Sequence, residues 1–342
     1  MKLSATKYFF IVFAIMLFIA CNGDKNKHPD LSSNPVYQSD PALKKITEQI
    51  TKSPKDASLF FERGKMLRKL KYDTLALKDL KMATILDSTR AEYYSAVGDL
   101  LFETKDIAGS VQWLQKAIIL NPKDMRAHLK IAKMFLYIQD YSRGFAEINI
   151  VLRSSPYNPE AYFLKGMLYK DMRDTAKAIS NFQTAVQVAP EYRDAVVQLG
   201  LLYSAKKDPI ALKYLDNATK MDSSDVLPMY AKGVYYQENK DYENAKAMYK
   251  ACIIRDYHYT NAYFNMGYIL MHEDSLAKAY RQYDIVTKID PVNSTAYYNR
   301  GLCSELMDSF KKAASDYQMA LRIDSTYDSP REGLKRLRGK VK

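Results

Sequence analysis

A chain of 342 residues, 47% hydrophobic and 26% charged, carries 51 Lys and Arg against 39 Asp and Glu, a formal charge of +12. In a protein kept inside the cell that balance would point to nucleic acid, whereas an exported one meets anionic membrane surfaces, anionic glycans or acidic proteins. Three cysteines and four scattered histidines (His28, His128, His258, His272) provide no metal-ligand spacing.

Residues 1–20 read as a secretory signal: Lys2 and Lys7, the apolar run Tyr8–Ala20, then a small residue before Cys21. That run is shorter than the roughly 17–25 residues a spanning helix needs. Loss of Lys2 and Lys7 with it lowers the charge from +12 to +10. Phe18-Ile19-Ala20-Cys21 resembles the lipobox of bacterial lipoproteins, with Phe18 where Leu is usual. The resemblance implies lipidation at Cys21 and a lipid anchor in the cell envelope. Because Asn22 is not the Asp linked to inner-membrane retention, it favours the outer membrane. Residues 21–40 are polar, with two prolines, and read as a flexible tether; a coil of about 20 residues spans near 25 Å.

Residues 41–56 follow as a lone capping helix, with Leu43, Ile46 and Ile50 on one face. Beyond it the chain repeats. Small residues at Gly64, Gly98, Ala132, Gly166, Gly200, Gly233, Gly267 and Gly301 are spaced by 34 residues, with one interval of 33. Two further registers, from Ala76 to Ala313 and from Ala83 to Ala320, keep step with the first. Eight units result, at 57–90, 91–124, 125–158, 159–192, 193–225, 226–259, 260–293 and 294–327; positions below count from the first residue of each unit. Proline stands near the end of four of them (Pro122, Pro156, Pro190, Pro291), where a second helix stops. The missing residue of the fifth falls in Lys206-Lys207-Asp208-Pro209, a turn that tolerates deletion. Residues 328–342 close the chain with a short helix around Leu334 and Leu337 and a basic tail, read as a solvated helix end.

The pattern resembles the tetratricopeptide repeat, clearest in the fourth unit: Tyr162, Gly166, Tyr169, Ala178, Phe182, Ala185 and Pro190. It covers about four fifths of the chain. The resemblance implies an all-α fold, an α-solenoid of about eight helix-turn-helix hairpins forming a right-handed superhelix with capping helices. Small residues at positions 8, 20 and 27 fit close approach of neighbouring helices. In this family positions 2, 5, 6, 9, 12 and 13 of first helices line the concave face. Positions 5 and 9 of units four to eight form an apolar stripe: Phe163 and Met167, Val197 and Leu201, Tyr230 and Val234, Phe264 and Tyr268, Tyr298 and Leu302. Units one and two differ in carrying the polar residues Glu62, Lys65, Ser95 and Asp99 on the same face. The stripe has two readings, a partner-binding groove or packing between hairpins, and both stay open at this point. Position 6 carries Asn265 and Asn299, two rungs of the ladder by which some members hold peptide backbone. Position 5 carries no Lys, so the clamp for acidic C-terminal tails is not supported.

No nucleophile, acid-base pair or phosphate-cradling loop stands out, and the regular glycines are explained by packing. Cys252 and Cys303 read as small packing residues that stay free thiols. The expectation is therefore a membrane-anchored scaffold, not an enzyme and without metal, cofactor or nucleic acid. It would bind an extended protein or peptide segment through Phe163, Met167, Tyr230, Phe264, Asn265, Tyr268, Tyr298 and Asn299. The alternative is an accessory subunit that recruits a cell-envelope hydrolase or transferase.

Overall fold

A computed structural model describes residues 34–340; the signal, Cys21 and most of the tether lie outside the described residues. A 3-10 turn at Pro35–Gln38 precedes α1 (Pro41–Lys52). First and second helices then alternate: α2 (Ala57–Lys69), α3 (Asp73–Leu86), α4 (Ala91–Glu103), α5 (Ile107–Leu120), α6 (Met125–Tyr137), α7 (Tyr141–Ser154), α8 (Pro159–Asp171), α9 (Thr175–Val188) and α10 (Arg193–Ala205). The series continues with α11 (Ile210–Met221), α12 (Leu227–Glu238), α13 (Tyr242–Arg255), α14 (Thr260–His272), α15 (Leu276–Ile289), α16 (Ser294–Leu306) and α17 (Phe310–Ile323), closed by α18 (Asp328–Arg336). Among the described residues there are no strands, and the fold is an α-solenoid of hairpins. Contacts cluster into two compact units, one ending at Met134 and the other starting at Phe135.

The hairpin turn is built the same way in all eight repeats. The residue at position 15 is left-handed although never glycine: Lys71, Lys105, Gln139, Arg173, Lys207, Lys240, Asp274 and Asp308, with φ between 53° and 66°. It permits the C-terminal motif in which the following N–H reaches back five residues, as Asp106 N does to Leu101 O at 2.8 Å and Asp174 N to Tyr169 O at 2.9 Å. That same following residue then caps the second helix: Asp106, Asp140, Asp174 and Asp241 accept from the N–H three residues on. The shortened fifth turn passes from Ala205 to Ile210, where Asp208 accepts from Ile210 N.

The glycine at position 8 is dictated by the side chain at position 24 of its own hairpin. A Cβ on Gly98 would lie 2.7 Å from Leu114, on Gly200 2.6 Å from Leu215, and on Gly233 2.5 Å from Tyr249. The facing residues Leu80, Leu114, Phe182, Tyr249, Tyr283 and Tyr317 at position 24, and Leu215 at position 23 of the shortened fifth unit, are fully buried, so each of these hairpins holds a large side chain against bare backbone. Cys252 and Cys303 are buried free thiols, and burial pushes them up to about 11 and about 12.

Both ends are covered. Leu43, Ile46 and Ile50 of α1 are buried over the first hairpin. Beneath them Arg63, with no exposed surface, pairs Asp79 at 2.6 and 2.9 Å and donates to Thr47 Oγ1 at 3.2 Å. The buried Tyr37 ring covers its guanidinium at 4.2 Å. At the other end α18 carries Pro330 in its first turn, and Pro330, Gly333 and Leu337 are buried. Arg336 grips Glu305 at 2.9 and 2.8 Å. Arg331 and Lys335 pair with Asp328 and Glu332, so much of the basic end is locally neutralised.

Candidate functional site

The apolar stripe, which lies in the compact unit that starts at Phe135, divides by position. At position 5 the rings are half-buried and sandwiched. Phe163 lies 5.7 Å from Phe182 and 5.4 Å from Tyr192, and Tyr230 lies 5.8 Å from Tyr249 and 5.3 Å from Tyr259. Tyr298 lies 5.7 Å from Tyr317 and 5.4 Å from Tyr327. In each case one neighbour is the position-24 ring of the same repeat and the other is a tyrosine at position 34. Phe264 has only the first kind, Tyr283 at 5.3 Å, because position 34 of its repeat is Asn293. These rings are fixed by packing and show one side to solvent. Burial raises the Tyr230 hydroxyl and pushes that of Tyr192 up to about 12.

Position 9 behaves differently. Tyr268 is 43% exposed and touches only the edge of the His272 ring, at 4.4 Å among its ring neighbours. Met167 is half-buried and lines a cavity of about 490 Å³ with Leu136 and Tyr137 and the polar Gln139, Lys170, Asp171 and Arg173. Val234 and Leu201 line a second, of about 380 Å³, between α10 and α12. Ala205, Leu227, Tyr230 and Ala231 complete its apolar wall, and Ser204 adds a hydroxyl. Lys207 and Glu238 form its rim: the ammonium donates to the Glu238 carbonyl at 3.0 Å and lies 3.5 Å from its carboxylate.

The two asparagines do not project alike. Asn265 donates to the hydroxyls of Tyr230 at 3.0 Å and Tyr249 at 3.2 Å, and Tyr249 donates in turn to Gln237 Oε1 at 2.8 Å. Its NH₂ is thus taken up inside the wall, leaving Oδ1 as the group able to accept from a peptide N–H. Asn299 donates to Thr295 O of its own helix at 2.8 Å. The structure therefore brings Tyr230 and Asn265 together, with Phe264 and Tyr268 one turn apart on α14, while Met167 lines the cavity beside α8, Phe163 of the same helix is packed between Phe182 and Tyr192, and Tyr298 and Asn299 belong to α16. Sequence reasoning missed Tyr192, Tyr259 and Tyr327, whose shared position 34 was a readable signal, and the notch residues Ala205, Leu227 and Ala231, whose positions 13, 2 and 6 lie among those that line the concave face in this family.

The first unit is polar on its first-helix face. A cavity of about 560 Å³ is lined by Lys65, Arg68, Arg126 and Lys130 and by Glu92, Asp99 and Asp124. Lys130 pairs Asp99 at 2.8 Å, and Arg68 holds Glu103 in a fork. Among the described residues no cluster of His, Cys, Asp and Glu could hold a metal ion, and no helix is long and apolar enough to cross a membrane. His128, at position 4, is buried with Nε2 3.1 Å from Pro122 O.

The family model of the tetratricopeptide repeat matches residues 159–192 and 228–256. The chain carries tetratricopeptide repeats. Protein O-mannosyl-transferase Tmtc3 of Drosophila melanogaster is 28% identical over 131 residues, 38% of this chain and 14% of that protein. DnaJ protein P58IPK homolog B of Oryza sativa subsp. japonica is 27% identical over 43% of this chain and 28% of its own length. The chain thus spans less than a third of these relatives. Among solved structures, a tetratricopeptide repeat protein from Parabacteroides merdae superposes with a TM-score of 0.54 at 16% identity, covering 72% of this chain and 97% of that one. PilW, a type IV pilus biogenesis factor, gives 0.53 at 16% identity over 62% of this chain and 99% of its own. Both likenesses are of fold.

Proposed function

We propose that this chain is a scaffold that holds an extended protein segment along the first-helix face of its second unit, and that the notch between α10 and α12 receives an apolar side chain of that segment. The observation that carries the reading is the notch itself: a concave, mostly apolar site built from positions 9, 12 and 13 of one repeat and 2, 5, 6 and 9 of the next, with polar groups at its rim. Its walls are preformed, since Tyr230 is held by Tyr249, Tyr259 and Asn265, so little ordering opposes binding. A peptide lying there gains backbone hydrogen bonds from Asn265 Oδ1 and apolar contact from Tyr268 and Met167. Relatives named as a mitochondrial import receptor subunit and a BBSome complex member accord with a binding role. We also propose that Cys21 carries a lipid and places the scaffold at the outer membrane.

A photo-crosslinking residue at Val234 should trap a partner in cells, and one at Lys250, exposed on a second helix, should not. Val234→Glu puts a charge into the notch and should remove the crosslinked species formed through a probe at Leu201 while the circular dichroism is kept. An unchanged crosslink in that variant would refute the notch as the binding site.

A further inference from the structure

The second helices of the first two repeats carry large apolar side chains on the surface. Ile85 of α3 is 72% exposed, Ile119 of α5 77%, and the adjoining Leu120 42%. Ile85 and Ile119 occupy the same position, 29, in consecutive repeats. Exposing two β-branched residues at equivalent places leaves apolar surface in water, a cost that a covering surface would relieve.

The exposed charge on the two helices beside them is mostly basic. Helix α5 contains no acidic residue, and its one charged side chain is Lys116. Helix α3 carries Lys78 and Lys81; of its two acids, Asp79 is buried against Arg63 and Asp73 lies at the opposite end from Ile85. In the turn beyond α3, Asp87 is bound by Thr89 and lies 3.6 Å from Arg90; beyond α5, Asp124 accepts from the backbone of Arg126. The ammonium groups of Lys81 and Lys116 meet over one indole, Trp113, at 5.8 and 4.8 Å. The two helices therefore present a shared face on which lysines, a half-buried tryptophan and bare isoleucines adjoin.

We infer that this face docks on an anionic lipid surface, with Ile85, Ile119 and Leu120 entering the acyl boundary and Lys78, Lys81 and Lys116 meeting the headgroups. Protein interfaces are depleted of Lys, whereas apolar side chains ringed by lysines, with Trp at the boundary, are the composition of membrane-surface elements. An anionic surface supplies the complementary charge along the whole face, at roughly 1 kcal/mol for each lysine. The inference concerns the first unit and is independent of the notch and of Cys21.

Trp113 is the only tryptophan in the chain, so its emission reports this face and nothing at the N-terminus. The purified full chain is mixed with phosphatidylcholine vesicles carrying brominated acyl chains, with and without phosphatidylglycerol. Trp113 should be quenched with phosphatidylglycerol and little without it. Ile85→Asp combined with Ile119→Asp should abolish the quenching, while Ile254→Asp, at the same repeat position and 76% exposed, should leave it intact. Replacing Lys78, Lys81 and Lys116 by Gln should weaken vesicle affinity on the order of 100-fold, about 5-fold for each lysine. Absence of quenching in anionic vesicles, or quenching that survives the double Asp substitution, overturns the inference. Self-association abolished by the same pair without lipid quenching also overturns it, and would make the face a contact between copies.

Discussion

Phe264 and Tyr268 lie one turn apart on α14, and truncating each to alanine separates packing from groove. The Phe264 ring packs edge-on against Tyr283, which is fully buried, and belongs to the same cluster as Ala279 and Cys303. Its removal strips the cover from Tyr283 and opens a cavity; full aromatic burial is worth about 3–5 kcal/mol, and a half-buried ring should cost about 2–4 kcal/mol. Tyr268 is 43% exposed and its ring contact is the edge of His272, so Tyr268→Ala should cost about 1 kcal/mol or less. Solenoids unfold by neighbouring repeats and need not be two-state, so urea melts should be paired with hydrogen exchange of the amides in α14 and α15. Exchange there should accelerate strongly in Phe264→Ala and little in Tyr268→Ala, whereas partner capture should fall in Tyr268→Ala. Equal destabilisation by the two substitutions would refute the division of the stripe into packing and groove positions.

Arg63→Met should cost about 3–5 kcal/mol in urea unfolding, because Asp79 would be left charged and buried, while Arg63→Met with Asp79→Leu should recover most of the loss; a double variant no better than the single one contradicts the pairing. Gly233→Ala should lower stability by about 1–3 kcal/mol in a thermal melt, since the added Cβ would meet the Tyr249 ring at 2.5 Å. Hydrogen bonds from Arg336, and then from Tyr317, hold the Glu305 carboxyl below its ordinary value. A depressed carboxylate contributes stability above its unfolded pKa of about 4.3 and loses it as pH falls through the folded value, so exchange in α18 should accelerate below about pH 4. Glu305→Gln should remove that pH dependence.

The hairpins were legible because close packing imposes a small residue every 34 positions, and the position-8 glycines face the position-24 side chains as that spacing requires. The division of the stripe was not legible. Positions 5 and 9 are four residues apart and share a helix face, so the helical period cannot distinguish them. What separates them is the second helix and the last residue of the repeat, which bring Tyr249 and Tyr259 onto Tyr230 and leave Tyr268 with His272. The left-handed turn residue was equally hidden, because Lys, Arg, Gln and Asp stand where glycine would have announced it.

The buried ion pair shows a signal that was present within the chain but lay across repeats. Arg63 and Arg300 both occupy position 7, Asp79 and Asp316 both follow by 16 residues, and they belong to the first and last repeats. Arg300 also reaches back 16 residues to Asp284 on the preceding second helix, at 2.7 Å. Arg63 reaches back by the same 16 residues to Thr47 on α1. Helix α1 therefore stands where the second helix of a preceding repeat would, and it offers a neutral hydroxyl where Asp284 offers a carboxylate. A second-helix surface is what the first helix of a hairpin needs beside it, so the cap completes the first repeat by supplying that half of a neighbour and ends the array without presenting another hairpin to fill.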